Sequence, residues 1–175
     1  DLMQDLLAID NETLSDVKSM EQIYGEIRAD PLYQRLFEVA NVHTAEQFGL
    51  DVPEGVYERM AGAIEDGDEW DTIRDHDWFR SAQAMAADED FFHWELEFPE
   101  VFFGEDGEKR PDAGFDAVVG NPPYVRIQRI HESLKDYLFN NFSTCANRTD
   151  LSLPFIEKAV NLINHSGFGG YISTS

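Results

Sequence analysis

The chain has 175 residues, 42% of them hydrophobic and 13 of them phenylalanine, which is enough apolar surface to bury a core and excludes wholesale disorder. Thirteen basic residues against 35 acidic ones give a formal net charge of -22, which on its face argues against a polyanionic partner, because phosphates are met mainly by Lys and Arg. A single cysteine, Cys145, excludes an intrachain disulfide and with it a secreted disulfide scaffold, and no apolar run approaches the roughly 18 residues of a membrane-spanning helix.

These features, with no basic stretch in Asp1-Leu2-Met3-Gln4-Asp5, fit a reduced cytoplasm and no membrane. Two accounts of the acidity stay open. In a salt-rich, halophilic cytoplasm the Debye length falls to about 3 Å near molar salt, so distant carboxylates no longer repel DNA. Alternatively, the acids occupy a face that never meets nucleic acid.

Residues 1–90 read as a helical lobe. An amphipathic stretch runs through Leu14, Val17, Ile23 and Ile27. Asp30 before Pro31 predicts a cap followed by proline at the first helical position, with Leu32, Leu36 and Val39 as the next apolar stripe. Pro53 opens a third helix with Val56, Met60 and Ile64 on one face, and the acidic run 65–69 reads as a solvated turn before a fourth. Trp70, Trp78 and Trp94 are candidate core or lobe-interface residues.

The pattern then changes. Phe92, Trp94, Leu96 and Phe98 alternate with His93, Glu95 and Glu97, which predicts a strand or extended segment with a solvated polar face rather than a metal site. A loop from Gly104 to Gly114 leads into Phe115-Asp116-Ala117-Val118-Val119-Gly120, a run suited to a buried parallel strand. Asp150 is placed to cap a helix through Asn164, with Leu153, Ile156, Val160 and Ile163 as its apolar stripe, and Gly167–Ser173 starts another strand. The fold class is therefore α/β. Two parallel strands fall short of a doubly wound sheet, and the chain starts without Met, so a piece of a larger protein is expected.

Asn121-Pro122-Pro123-Tyr124 follows the 115–120 strand at its carboxyl end, where open α/β sheets bind ligands. The prolines stiffen the loop and remove two N–H groups, which biases it toward acceptors. The Asn121 side-chain carbonyl and the Pro122 backbone carbonyl are suited to one amino group, and Tyr124 offers an aromatic face. Such a set suits alkylation of a conjugated NH2, whose lone pair is freed only when acceptors hold its hydrogens. A base inside a duplex must first be flipped out, and an aromatic platform offsets part of that cost.

Phe115–Tyr124 resembles the strand and Asn-Pro-Pro-Tyr motif of amino-group methyltransferases. Three further stretches narrow the resemblance to adenine-specific DNA methyltransferases of the Eco57I-like restriction-modification kind: His93–Phe102, Asp150–Ala159 and Gly167–Ile172. The resemblance implies a partial Rossmann-like methyltransferase domain over 91–175 behind the helical lobe. It also implies S-adenosylmethionine as methyl donor, with Asn121 and Pro123 touching the cofactor. Asn121 and Pro122 would bind the amino group, and Tyr124 would stack on a flipped adenine of double-stranded DNA. The family's glycine-containing cofactor loop has no match here; Gly167-Phe168-Gly169-Gly170 follows a helix and precedes a strand, the reverse of the required order. Activity of the chain alone is therefore not expected, and its remainder, or a restriction subunit, is an expected partner.

Arg126 and Arg129 stand in a stretch, Ala117–His131, without a single acid, and Arg148 in another, Tyr137–Thr149; both read as faces that do not repel phosphates. Asp116 reads equally as a loop-orienting or an ordinary strand-start residue, and Cys145 as a packed small residue. Two competing functions stay open: methylation of a protein glutamine amide, which the same loop serves equally well, and a non-catalytic remnant or acidic interaction module.

Overall fold

The computed structural model describes residues 13–104, 106–145 and 150–172; Arg148 and Ser173 lie outside them. The chain is mixed α/β, mostly helical, with one small parallel sheet. It divides into two compact units: the chain up to His43 with Asp51–Glu89, and Thr44–Leu50 with Asp90–Ser175.

The first unit is helical. Helix α1 (Leu14–Ala29) opens on a capping box in which Thr13 Oγ1 accepts from Asp16 N–H at 3.2 Å while Asp16 Oδ2 accepts from Thr13 N–H at 2.9 Å. Helix α2 (Pro31–Gln47) begins at the expected proline, and Asp30 Oδ1 accepts from the N–H groups of Leu32 and Tyr33 at 2.8 and 3.1 Å. Helix α3 (Val56–Ala63) starts three residues after Pro53, from Gly55 at φ +76, and buries Val56, Met60 and Ala63. The acidic run is more than a solvated turn: Asp66 caps α4 (Gly67–Arg74), and Asp68 and Glu69 lie in its first turn, where negative charge suits the helix dipole. Helix α5 (Asp77–Asp88) completes the unit.

The expected apolar stripes of α1 and α2 run wider than the faces they bury. Leu14, Val17, Leu32 and Leu36 are exposed, whereas Ile27 and Val42 are buried. A partly buried polar junction joins three helices. Trp70, fully buried, donates its indole N–H to Glu38 Oε2 at 2.7 Å, and Arg74, one turn on, meets Glu38 Oε1 at 3.0 Å. Gln83 of α5 donates to the Glu38 backbone carbonyl at 3.1 Å.

In the second unit no strand forms over 91–98: residues 91–93 are in neither helix nor strand, a short helix α6 (Trp94–Glu97) follows, and then a second, α7 (Pro99–Phe102). The alternation misled because its apolar positions include Trp94 and Phe98, four apart, whose rings stack across a helical turn at 6.0 Å. Both rings meet Phe115 edge-on at 5.7 and 5.3 Å, so the segment packs against the start of the sheet. Glu97, expected on a polar face, is buried.

Strand β1 (Phe115–Gly120) pairs in parallel with β2 (Ile163–Tyr171). Helices α8 (Glu132–Asn141) and α9 (Ser152–Leu162) form the crossover, α9 lying against both strands. Asp150 Oδ1 accepts from the Ser152 N–H at 2.9 Å and from its hydroxyl, but α9 ends at Leu162, two residues before the expected Asn164. The buried positions of α9 are Ser152, Pro154, Ala159 and Leu162, whereas Leu153 and Val160 of the predicted stripe are exposed. The stripe is rotated by one residue because the sheet, rather than the richest apolar face, sets which side is covered.

The ladder is irregular at its start: Phe115 faces Ile163 and Ala117 faces Phe168, two steps along β1 against five along β2. The excess forms a turn in which Asn164 Oδ1 accepts from Ser166 N–H at 2.9 Å and Asn164 Nδ2 donates to Asp116 Oδ1 at 2.7 Å. Asp116 thus ties the strand starts. Gly167 is required there, since a Cβ would fall 2.4 Å from Ile163 Cγ2 and 2.7 Å from the Phe115 carbonyl. Contrary to the expected buried strand, Val119 is 80% and Phe168 78% exposed. Strand β1 is apolar on both faces, and among the described residues α9 covers one.

Loss of Glu38 leaves the buried Trp70 N–H without its partner, a cost of about 1–3 kcal/mol. Glu38→Ala should therefore lower the urea midpoint, and an unchanged midpoint would show that the junction contributes nothing. A second test concerns Glu157 of α9, whose carboxylate accepts from the N–H groups of Ser143 and Thr144 at 2.9 and 2.8 Å. The Thr144 side chain, the Ser143 amide and the Thr144 amide together lower its pKa from 4.5 to about 2. Because the folded value is depressed, this stabilisation is complete above pH 4.5 and disappears as pH falls through about 2. The Ser143 and Thr144 amide NMR shifts should titrate with a midpoint near 2 and stay flat in Glu157→Gln.

Candidate functional site

The loop after β1 is held at three points, all within the second unit. At its start, Ile172 N–H donates to the Gly120 carbonyl at 3.2 Å, extending the parallel ladder past the end of β1. Gly120 lets the Tyr171 ring lie close over the strand end, since a Cβ there would stand 3.1 Å from Tyr171 Cε1. At its end, Leu151 N–H donates to the Val125 carbonyl at 2.9 Å, and Arg126 bridges antiparallel to Asp150. The chain then enters a 3-10 turn, Ile127–Arg129, whose Ile127 is 1% exposed and packs with Leu138 and Leu151. Cys145 lines the same cluster, as expected of a packed thiol; burial, and then the Glu157 charge, raise its pKa.

The third point is Tyr124. Its hydroxyl lies 2.9 Å from Asn121 Oδ1 and 2.7 Å from the backbone carbonyl of Ile172. Pro122 is buried and Pro123 partly so, while Asn121 is exposed and Tyr124 is 43% exposed. The prolines therefore serve as the inner wall, and the carboxamide and the phenol remain reachable from solvent.

Of the residues singled out from sequence, Asn121 and Tyr124 are brought into direct contact, with Pro122 and Pro123 between them. Arg126 and Arg129 follow within five residues of Tyr124, both exposed. Among the described residues neither has an ion pair, whereas Arg59, Arg74, Arg80 and Arg110 each have an acidic partner. Ile172 was not singled out as a site residue. Its signal was positional: it lies just beyond a strand that runs parallel to β1, so its backbone reaches the same edge.

Chemically, the loop presents acceptors: the Asn121 carboxamide oxygen, the Ile172 carbonyl and proline positions that lack N–H. It suits a ligand rich in N–H donors. Among the described residues no three His, Cys, Asp or Glu side chains gather into a potential cation site. A cavity of about 300 Å³ lies in the first unit among Arg28, Tyr33, Gln34, Phe37, Glu38 and Asn41, and none of these belongs to the loop. No helix among the described residues is long and apolar enough to cross a membrane.

Comparison with known proteins bears on this loop. Three curated relatives match over about a third of the chain. It is 41% identical over 58 residues to the type II methyltransferase M.BstVI of Geobacillus stearothermophilus and 40% identical over 58 residues to M.PaeR7I of Pseudomonas aeruginosa, in each case 33% of this chain and 10% of the relative. It is 42% identical over 60 residues to M.XhoI of Xanthomonas vasicola, 34% of this chain and 11% of the relative. The match thus spans about a tenth of the length of these enzymes. No solved structure matches the chain significantly. The model of the Eco57I restriction-modification methylase family, in contrast, matches residues 21–175, nearly the whole chain. With a stiff, acceptor-rich Asn-Pro-Pro-Tyr loop at the carboxyl end of a parallel strand, the chain belongs to the Eco57I restriction-modification methylase family.

Proposed function

We propose that the chain is the target-base-binding part of an adenine-specific DNA methyltransferase. In this reading residues 1–90 form a helical lobe and residues 91–175 part of a Rossmann-like methyltransferase domain. The observation that carries it is the placement of Asn121 Oδ1, exposed and already 2.9 Å from a hydroxyl donor, at the carboxyl end of β1. An acceptor in that position is suited to a hydrogen of an exocyclic amino group, and the Pro122 carbonyl to the second. With both hydrogens held, the nitrogen lone pair is drawn out of conjugation and becomes nucleophilic.

Tyr124 is suited to stack on the flipped adenine of double-stranded DNA, contributing about 1–3 kcal/mol. S-adenosylmethionine, when bound, supplies an electrophilic methyl group. By resemblance to the family, the residues on this chain that would touch it are Asn121 and Pro123. Arg126 and Arg129 would meet phosphates. Their lack of an acidic partner among the described residues and the absence of acids from Ala117 to His131 answer, locally, the objection raised by a charge of -22. The relatives, all type II methyltransferases, support the same reaction class.

Calorimetry in molar KCl tests the pocket: saturable S-adenosylmethionine binding weakened roughly tenfold by Asn121→Ala supports it, matching the loss of one hydrogen bond of about 1–1.5 kcal/mol. No binding to the purified chain would leave it without a working cofactor site. Tritium transfer from S-adenosylmethionine to mixed-sequence duplex DNA, followed by nucleoside analysis, tests the target. With the chain joined to the remainder of its enzyme, label on adenine N6 is expected, and label on protein glutamine would overturn the DNA assignment. Alanine at Arg126 or Arg129 should each lower the slope of log affinity for DNA against log salt by about 1; an unchanged slope would remove these residues from the interface.

A further inference from the structure

The Tyr124 hydroxyl has one proton and two acceptors: Ile172 O at 2.7 Å and Asn121 Oδ1 at 2.9 Å. Both cannot be fully satisfied at once. From this geometry we infer that the hydroxyl is a placeholder for the substrate amino group at Asn121, anchored by the Ile172 carbonyl, and that base binding hands Asn121 over while committing the proton to Ile172. This inference rests on the amino-binding reading of the loop.

The argument is one of hydrogen-bond supply. Without a base, the shared hydroxyl keeps Asn121 Oδ1 partly satisfied and turned toward the ring of Tyr124, instead of free to rotate in water. An arriving amino group has two hydrogens and serves Asn121 better than half of one proton. The hydroxyl then donates wholly to the Ile172 carbonyl, already its nearer acceptor, so no bond is lost in the exchange. With no proton left between the two oxygens, the ring pivots toward the end of β2. The handover keeps the Tyr124 ring attached to the sheet at the moment its face is needed as a stacking platform. Ile172 thereby acts as a positioning residue through its backbone, and its own N–H is fixed on Gly120 O at 3.2 Å.

The test is NMR on the full 175-residue chain, observing the Asn121 side-chain NH2 and the Ile172 carbonyl carbon, with adenosine as probe. In the base-free chain, Tyr124→Phe should move both signals and leave the helical signals unchanged, which also reports that the variant is folded. If Asn121 or Ile172 does not move, the clasp is absent and the inference fails. Adenosine added to the unsubstituted chain should move Asn121 and shift Ile172 opposite to Tyr124→Phe, since its hydrogen bond strengthens rather than disappears. In Tyr124→Phe, adenosine should move Asn121 and leave Ile172 still. N6,N6-dimethyladenosine, which has no amino hydrogens, should move neither signal. Adenosine shifting Asn121 with Ile172 unmoved in the unsubstituted chain would overturn the handover while sparing the amino-binding reading. Adenosine shifting neither Asn121 nor the Tyr124 ring would overturn that reading and the handover with it.

Discussion

The candidate site depends on the parallel pairing of β1 with β2. Parallel neighbours end at the same edge of a sheet, so the residues after Gly120 and after Tyr171 emerge side by side. That juxtaposition gives Tyr124 an acceptor 48 residues away in sequence, and it places the Ile172 amide on the Gly120 carbonyl. Without the register Ala117–Phe168 through Gly120–Tyr171, the loop would have a beginning and no opposing wall.

Several unrelated features protect that register. The Asn164 turn absorbs the five-against-two mismatch at the strand starts, and its bond to Asp116 locks the offset. Gly167 allows the backbones to approach where any side chain would strike Ile163 and the Phe115 carbonyl. The aromatic cluster of Trp94, Phe98, Phe102 and Phe115 fixes the first residue of β1 from the other side. Downstream, Ile127 is buried with Leu138 and Leu151, so the loop is held between a strand and a small core of its own. Rigid loops on rigid supports are what a preorganised acceptor set requires, since an acceptor that must reorient during reaction loses most of its advantage.

Charge is arranged as unevenly as structure. Four of the eight described arginines, Arg59, Arg74, Arg80 and Arg110, are paired with carboxylates, and in the helical unit Asp66, Asp68 and Glu69 gather at the start of α4 while Glu38 and Asp71 hold Arg74. The segment that carries the loop, Ala117–His131, has no acid and two guanidinium groups, Arg126 and Arg129, with no ion pair among the described residues. Net charge therefore describes the chain poorly as a ligand for DNA: over a Debye length of about 8 Å at physiological ionic strength, nearby charges outweigh distant ones.

The proline loop and the strand before it were legible from sequence because each depends on local chemistry, proline geometry and an apolar run, while the second strand was legible in kind but begins at Ile163, four residues before the expected Gly167. Asp30 and the proline at the start of α2 were legible for the same reason, since a cap needs only its neighbours, whereas the N-cap of α9 is Leu151 and not the expected Asp150, which lies one residue earlier and binds Ser152. What sequence misplaced depended on partners. The Phe92–Phe98 alternation fits a strand and a helical turn equally, and the decision came from Phe115, which gives Trp94 and Phe98 a common surface. The buried side of α9 was set by the sheet beneath it and not by its own richest apolar stripe. The Ile172 carbonyl, a backbone atom with no side-chain signature, entered the site only through strand register. Local backbone preferences are written residue by residue, whereas which acceptor a hydroxyl finds across a sheet is decided by packing between distant segments.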